Sequence, residues 1–157
     1  MTTLEILHAD LDDPRHQAAI VELLDSYSRD PFGEGRPLAP EARERLIPGL
    51  KAHGGAVVLL AYERGQPVGL ALCLLGFSSF RGRPLLNIHD LAVRPEARGR
   101  GVGRQLLEAL EVEARRLGCC KLTLEVRADN TRAMELYRKV GFEPGEPPTW
   151  FWTRKLD

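Results

Sequence analysis

Two almost continuously apolar runs, residues 56–62 and 67–75, lie a few residues apart with the polar segment Arg64-Gly65-Gln66 between them. Runs without polar alternation suit strands covered on both faces, and so short a link joins them as a tight hairpin. That constrains the rest of the chain, because helices must supply the cover. Asp12-Asp13-Pro14 opens one with proline in its first turn; Ile20, Leu23, Leu24 and Tyr27 follow at helical spacing, which predicts a helix from Pro14 to about Ser28. A second is predicted from Pro40 to about Ala52, ended by His53-Gly54-Gly55. Between these two helices the Gly and Pro content of residues 31–37 dictates a loop.

Leu4 to Leu7 reads as a first strand. Another is predicted from about Leu85 to Val93, although Asn87, His89 and Asp90 interrupt its apolar run. Polar groups in a strand that should be core break the local rules, and such breaks mark candidate sites. A helix with Val102, Leu106, Leu107, Leu110, Ala114 and Leu117 on one face follows. Cys120, Leu122, Leu124 and Val126 alternate with polar residues as a half-buried strand. Asp129-Asn130-Thr131 caps a last helix bearing Ala133, Leu136, Tyr137 and Val140, stopped by Gly141. Phe142 and Trp150-Phe151-Trp152, joined by a proline-rich link, read as final strands. The expectation is an α+β class chain: one domain over residues 1–157, with a mixed sheet.

The 22 Lys and Arg balance the 22 Asp and Glu. A net charge of zero argues against nucleic acid or an anionic membrane as the main partner. Cys73, Cys119 and Cys120 are odd in number and lack metal-ligand spacing, so reduced thiols and no metal are expected. Met1 to Ile6 has neither a basic n-region nor a long apolar run, and no stretch approaches the roughly 18 apolar residues of a membrane span. A cytoplasmic protein is the expectation.

Three glycines, Gly99, Gly101 and Gly103, fall between a strand and the first turn of a helix, flanked by Arg94, Arg98, Arg100 and Arg104 with only Glu96 opposing. Glycines let a ligand approach the backbone, and the free N–H groups and dipole of a helix start favour an anion. A Walker loop would need a lysine that is absent, and glycine at every second residue late in the chain does not fit a dinucleotide-binding turn.

Arg98-Gly99-Arg100-Gly101-Val102-Gly103 matches the Arg/Gln-x-x-Gly-x-Gly signature for acetyl-CoA in the GNAT family of N-acetyltransferases. His89-Asp90-Leu91-Ala92-Val93-Arg94-Pro95 resembles that family's fourth strand, and residues 130–137 with Gly141-Phe142 resemble its second conserved block. The resemblance implies a mostly antiparallel sheet splayed between strands four and five, about four flanking helices, and acetyl-CoA as cosubstrate in the cleft. The backbone of Leu91, Ala92 and Val93 would pair with the pantetheine arm. N–H groups from Arg98 through Gly99, Arg100, Gly101 and Val102 to Gly103 would hold the pyrophosphate, with Arg98, Arg100 or Arg104 adding charge-assisted contacts. Asn130 looks like the residue bonding the cofactor arm, its alternative being helix N-cap. Tyr137 matches the family tyrosine that protonates the departing thiolate.

The reaction is attack by a neutral amine on the thioester, so a base must take the amine's proton and a donor must face the oxyanion. Many relatives put glutamate where this chain has His89. Histidine suits the role by its ordinary pKa, with Asp90 as substrate anchor or second candidate. Strand alternation sends the two to opposite faces unless a bulge intervenes.

Residues 1–30 carry seven acids against Arg15 and Arg29, which would draw a cationic amine or merely form a wet helix face. Phe77-Ser78-Ser79-Phe80-Arg81-Gly82 resembles the aromatic loop of polyamine and thialysine acetyltransferases. The acceptor expected is therefore a small-molecule amine. A protein acetyltransferase acting on lysine or an N-terminus, and a non-catalytic acyl-CoA-binding module, are the alternatives. Trp150-Phe151-Trp152 would line the site, pack in the core, or face a partner in a homodimer.

Overall fold

The computed structural model describes residues 3–157. The chain divides into two compact units, the first ending at Leu124 and the second beginning at Glu125.

In the first unit, β1 (Leu4–His8), β2 (Ala56–Glu63), β3 (Gln66–Ser78), β4 (Arg83–Val93) and β5 (Leu122–Leu124) form one sheet in that order. The first four strands are antiparallel neighbours, and β5 joins β4 in parallel. The apolar runs form the predicted hairpin. Its link is only Arg64-Gly65, both at positive φ, 52° and 74°, the conformation that matches the twist of paired strands.

Helices α1 (Pro14–Arg29) and α2 (Pro40–His53) cover one face. Asp13 caps α1 by accepting the Arg15 N–H at 2.8 Å, and Pro14 occupies the first turn, as the sequence predicts. Ala19, Ile20 and Leu23 of α1 and Leu50 of α2 pack with Val58, Leu60, Leu70, Leu72 and Ala92 of the sheet. Helix α3 (Val102–Arg116) covers the other face, burying Val102, Leu106, Leu107, Leu110 and Ala114.

Gly69 of β3 lets α3 come close. A Cβ there would meet Val102 Cγ1 at 2.9 Å and Leu106 Cδ1 at 3.1 Å. Valine is stiff at χ1 and cannot swing aside. Gly69→Ala is therefore expected to destabilise the fold by about 1–3 kcal/mol, read by denaturant unfolding. It would also push out the start of α3, where the glycine-rich turn ends.

In the second unit, α4 (Thr131–Lys139) starts from an Asn130 cap, whose side-chain oxygen accepts the Ala133 N–H at 3.2 Å. It closes at Gly141 (φ 97°), where the Phe142 N–H donates to the Tyr137 carbonyl at 2.9 Å.

Two sequence expectations need correction. The strand over Cys120–Val126 shrinks to Leu122–Leu124, and neither Phe142 nor Trp150-Phe151-Trp152 lies in a strand. Pro144, Pro147 and Pro148 precede the aromatic triplet and have no N–H for a ladder. Trp150, Phe151 and Trp152 are instead exposed, which removes the expectation that they pack in the core.

Candidate active site

The polar interruption of β4 coincides with a β-bulge. Leu72 faces Asp90 across the ladder and its neighbour Cys73 faces Ile88, so His89 is an extra residue without a cross-strand partner. Directly opposed residues share a face of the sheet. Asp90 therefore lies on the side of Leu70, Leu72 and Ala92, toward α1 and α2, while Ile88 and Cys73 lie toward α3. Without the bulge Asp90 would share the face of Ile88. The extra residue cancels the opposition of His89 and Asp90 that alternation predicts: His89 is exposed, and Asp90 is half-buried beside it.

The ladder between β4 and β5 covers only Leu86–Ile88 against Leu122–Leu124, and β4 runs on to Val93. The sheet thus forks immediately before the bulge, at the place expected for a splay between strands four and five. Asn87 stands at the fork, its Nδ2 donating to Thr123 Oγ1 at 3.0 Å. Leu91, Ala92 and Val93, the residues expected to offer backbone to a ligand, lie past it and pair only with β3 among the described residues.

Burial raises the Asp90 carboxyl above its ordinary pKa, and the nearby His89 charge partly opposes this. Cys73, fully buried close by, has its thiol pushed up to about 12 by burial and by the Asp90 charge. A carboxyl with a raised folded pKa costs stability as pH climbs past the value near 3.9 of the unfolded chain, since the folded form holds its proton longer. Asp90→Asn is thus expected to melt higher than the wild type at pH 7.5. Below about pH 3.5, where the acid is protonated in both states, that gain should vanish. Thermal melts at the two pH values check it.

After β4, Arg94 is built into the fold. Its Nε donates to the Pro67 carbonyl at 2.7 Å and its Nη2 to Glu22 at 3.2 Å. A 3-10 turn, Pro95–Ala97, leads to Arg98, whose N–H donates to the Pro95 carbonyl. Gly99 and Gly101 follow in the left-handed region, at φ 76° and 82°. Gly101 is the N-cap of α3 and supplies no side-chain cap, so among the described residues the first-turn N–H groups, Val102, Gly103 and Arg104, lack the side-chain acceptor that Asp13 and Asn130 give α1 and α4. A Cβ on Gly101 would meet nothing within 4 Å, so the side of the turn that Gly101 faces is open. The combination suits an anion held by backbone.

The excess positive charge of this segment is a feature of the sequence alone. Arg94 pairs with Glu22, Arg98 with Asp30, Arg100 with Glu63 and Arg104 with Glu108, at 2.8–3.2 Å. Three of the four carboxylates lie more than thirty residues away, and spacing gave no sign of them. The acids of residues 1–30 are likewise engaged. Asp12 meets Lys51, Asp13 caps α1, and Asp25 binds Arg29, Arg43 and the Leu38 N–H. An acidic wall open to an amine is therefore not what most of them form.

Residues 30–38 form a tied loop between α1 and α2. The Ser28 hydroxyl donates to the Arg36 carbonyl at 2.8 Å, and the N–H groups of Gly33 and Gly35 donate to the Asp30 carbonyl. The Phe32 N–H and then the Arg98 guanidinium hold the Asp30 carboxyl below its ordinary pKa. Gly33 is obligatory, since a side chain there would run into the Tyr27 carbonyl. A groove of about 1060 Å³ lies elsewhere, between α1 and α2, and is lined mostly by apolar residues such as Ala18, Val21 and Ile47. It shares Glu22 with the Arg94 ion pair but contains none of the residues expected to bind the cofactor or act in catalysis.

Asn130, the cap of α4, and Tyr137, within it, both lie in the second unit. Asn130 spends its side-chain oxygen on the cap, which leaves Nδ2 as its donor. Tyr137 is half-buried, and its ring meets Phe142 edge-on with centroids 5.9 Å apart.

Residues 18–142 match the family model described as Acetyltransferase (GNAT) family. The chain belongs to the GNAT family. It is 31% identical over 126 residues to YhfO, an uncharacterized N-acetyltransferase of Bacillus subtilis, covering 80% of this chain and 83% of that protein. It is 32% identical over 118 residues to an aminoglycoside N(6')-acetyltransferase of Stenotrophomonas maltophilia, covering 73% and 77%. A solved structure of a probable acetyltransferase shares the fold with a TM-score of 0.83 over 98% of this chain and 99% of its own, at 21% identity. This GNAT protein is an acyl-CoA-dependent N-acetyltransferase, and the family uses acetyl-CoA. The glycine-rich turn fits that cosubstrate, whose pyrophosphate is an anion for uncapped N–H groups. Among the described residues no helix is long and apolar enough to cross a membrane, and no cluster of His, Cys, Asp or Glu would hold a metal.

Proposed function

We propose that this GNAT enzyme moves the acetyl group of acetyl-CoA to a primary amine of a small molecule, such as a diamine, a polyamine or an amino-acid-like amine. The tied loop over residues 30–38 carries the proposal. It is fastened to the glycine-rich turn through Arg98 and Asp30 at 2.9 Å, which favours a small acceptor over a peptide needing an open groove. The aminoglycoside acetyltransferase among the relatives supports a small amine substrate.

In this reading the whole chain works as one domain in the cytoplasm. When bound, acetyl-CoA supplies an activated acyl thioester. Backbone N–H groups from Gly99 to Gly103, with Arg100 and Arg104, hold its phosphates; Leu91, Ala92 and Val93 meet its arm through their backbone, and Asn130 through Nδ2. His89, exposed at the bulge, takes the proton that the attacking amine loses, and Asp90 beside it anchors the amine's charge. Tyr137 supplies the proton that the departing sulfur needs.

Release of free CoA thiol tests this with putrescine, spermidine, lysine, an aminoglycoside, lysine-containing peptides and free peptide N-termini. Turnover of the small amines at a kcat/KM far above the peptides is expected. Preference for a peptide would replace the small-amine reading with protein acetylation. A rise in melting temperature with acetyl-CoA but no turnover of any acceptor would point to a binding module.

A further inference from the structure

We propose that Arg98 and Asp30 form a strut that holds the α1–α2 loop against the glycine-rich turn, making Arg98 a positioning residue for the amine rather than a ligand of the cofactor phosphates. The proposal rests on the reading of that loop as a wall of the amine site.

The guanidinium of Arg98 is committed in two directions. Its Nε donates to the carbonyl of Val93, the last residue of β4, at 3.1 Å, and its Nη2 donates to Asp30 Oδ2 at 2.9 Å. Asp30 is committed as well: its Oδ1 accepts the Phe32 N–H at 2.9 Å, and its carbonyl accepts those of Gly33 and Gly35. The Asp30 side chain is 15% exposed and that of Arg98 35%. Turning Arg98 toward a phosphate would strand a mostly desolvated carboxylate and leave the end of β4 without its donor.

Arg104 offers the contrast. It pairs with Glu108 one helical turn on, and the two side chains are 60% and 53% exposed. Such a pair is worth little in water, so Arg104 turns to a new anion almost freely. The arginines of one signature thus divide their work. Arg104 is available for phosphate, Arg100 only at the cost of uncovering the mostly buried Glu63, while Arg98 ties the acceptor loop to the strand that ends at the cofactor turn. Because Asp30 itself accepts the N–H groups of Phe32, Gly33 and Gly35, losing the strut frees the residue on which the start of the loop is organised.

The experiment uses the full chain as wild type, Asp30→Asn, Arg98→Lys, Arg98→Ala and the double variant Asp30→Asn/Arg98→Ala, each checked by thermal melting. Amide hydrogen exchange over residues 31–38 is followed, and CoA binding is measured by calorimetry. Exchange should quicken about tenfold in each single variant and no further in the double, the non-additivity of partners in one contact. CoA affinity should stay within about threefold of wild type, well under the tenfold that 1.4 kcal/mol of lost binding produces. With an amine substrate in hand, KM for the amine should rise while KM for acetyl-CoA holds. If Arg98→Ala instead weakens CoA tenfold or more while Asp30→Asn tightens it, Arg98 is a phosphate ligand that Asp30 merely occupies, and the strut is wrong. Arg98→Lys, which keeps the charge, carries the same comparison if the alanine variant fails to fold. Should no small amine be acetylated, the small-amine reading falls alone, since exchange and CoA binding still decide the strut.

Discussion

Tyr137→Phe is expected to lower kcat by about 10²-fold or more, the usual worth of a positioned general acid, while CoA binding changes little. The substitution removes one oxygen and keeps the ring, so the edge-on contact with Phe142 and the closing bond from the Phe142 N–H to the Tyr137 carbonyl both survive. A phenol ordinarily carries its proton at neutral pH, so one placed at the departing sulfur has a proton to give. Stopped-flow and steady-state release of CoA thiol, with calorimetry for CoA, separate the two effects. Unchanged turnover would remove Tyr137 from the proton path. An equal loss of CoA affinity would make it a binding residue.

His89→Ala is the second large effect, again about 10²-fold in kcat near neutral pH if the imidazole takes the amine's proton. His89→Ala should lose less at pH 9 than at pH 7, because a larger share of the amine then arrives already deprotonated. Asp90→Asn separates the roles. It removes the charge thought to anchor the amine, so KM for the amine should rise more than kcat falls. A pH–rate profile of Asp90→Asn that loses the same limb as His89→Ala would instead make the two residues one titrating pair.

Much of the fold was legible because the period of the apolar residues reports which side of an element is covered. The runs at 56–62 and 67–75 are buried on both faces, and the stripe from Val102 to Ala114 lies against the sheet. Capping chemistry was equally readable: Asp13, Gly54 and Asn130 occupy the helix ends their side chains or backbone freedom suit. The glycine-rich turn showed itself by residue type, since Gly99 and Gly101 both adopt positive φ.

What stayed hidden depends on residues far apart in the chain. The bulge at His89 is a property of two strands in register, and one strand's sequence shows only that something polar intrudes. The partners of Arg94, Arg98 and Arg100 lie on α1, at its C-terminal end and on β2, brought together only by folding. The last strands do not form although aromatic content suggests pairing: Pro144, Pro147 and Pro148 break the segment between Phe142 and the triplet, where a ladder would have to run on.

The paired arginines also bear on what kind of anion such a turn would select. A bare cation takes up any passing chloride or inorganic phosphate; an arginine already resting on a carboxylate must exchange one negative partner for another, and a single small anion gains little by the trade. A ligand with several phosphates on one backbone displaces more than one carboxylate at once and fills the uncapped N–H groups besides. Glu63, which is mostly buried, would act in this way as a placeholder on Arg100, whereas the exposed Glu108 would give up Arg104 with little resistance.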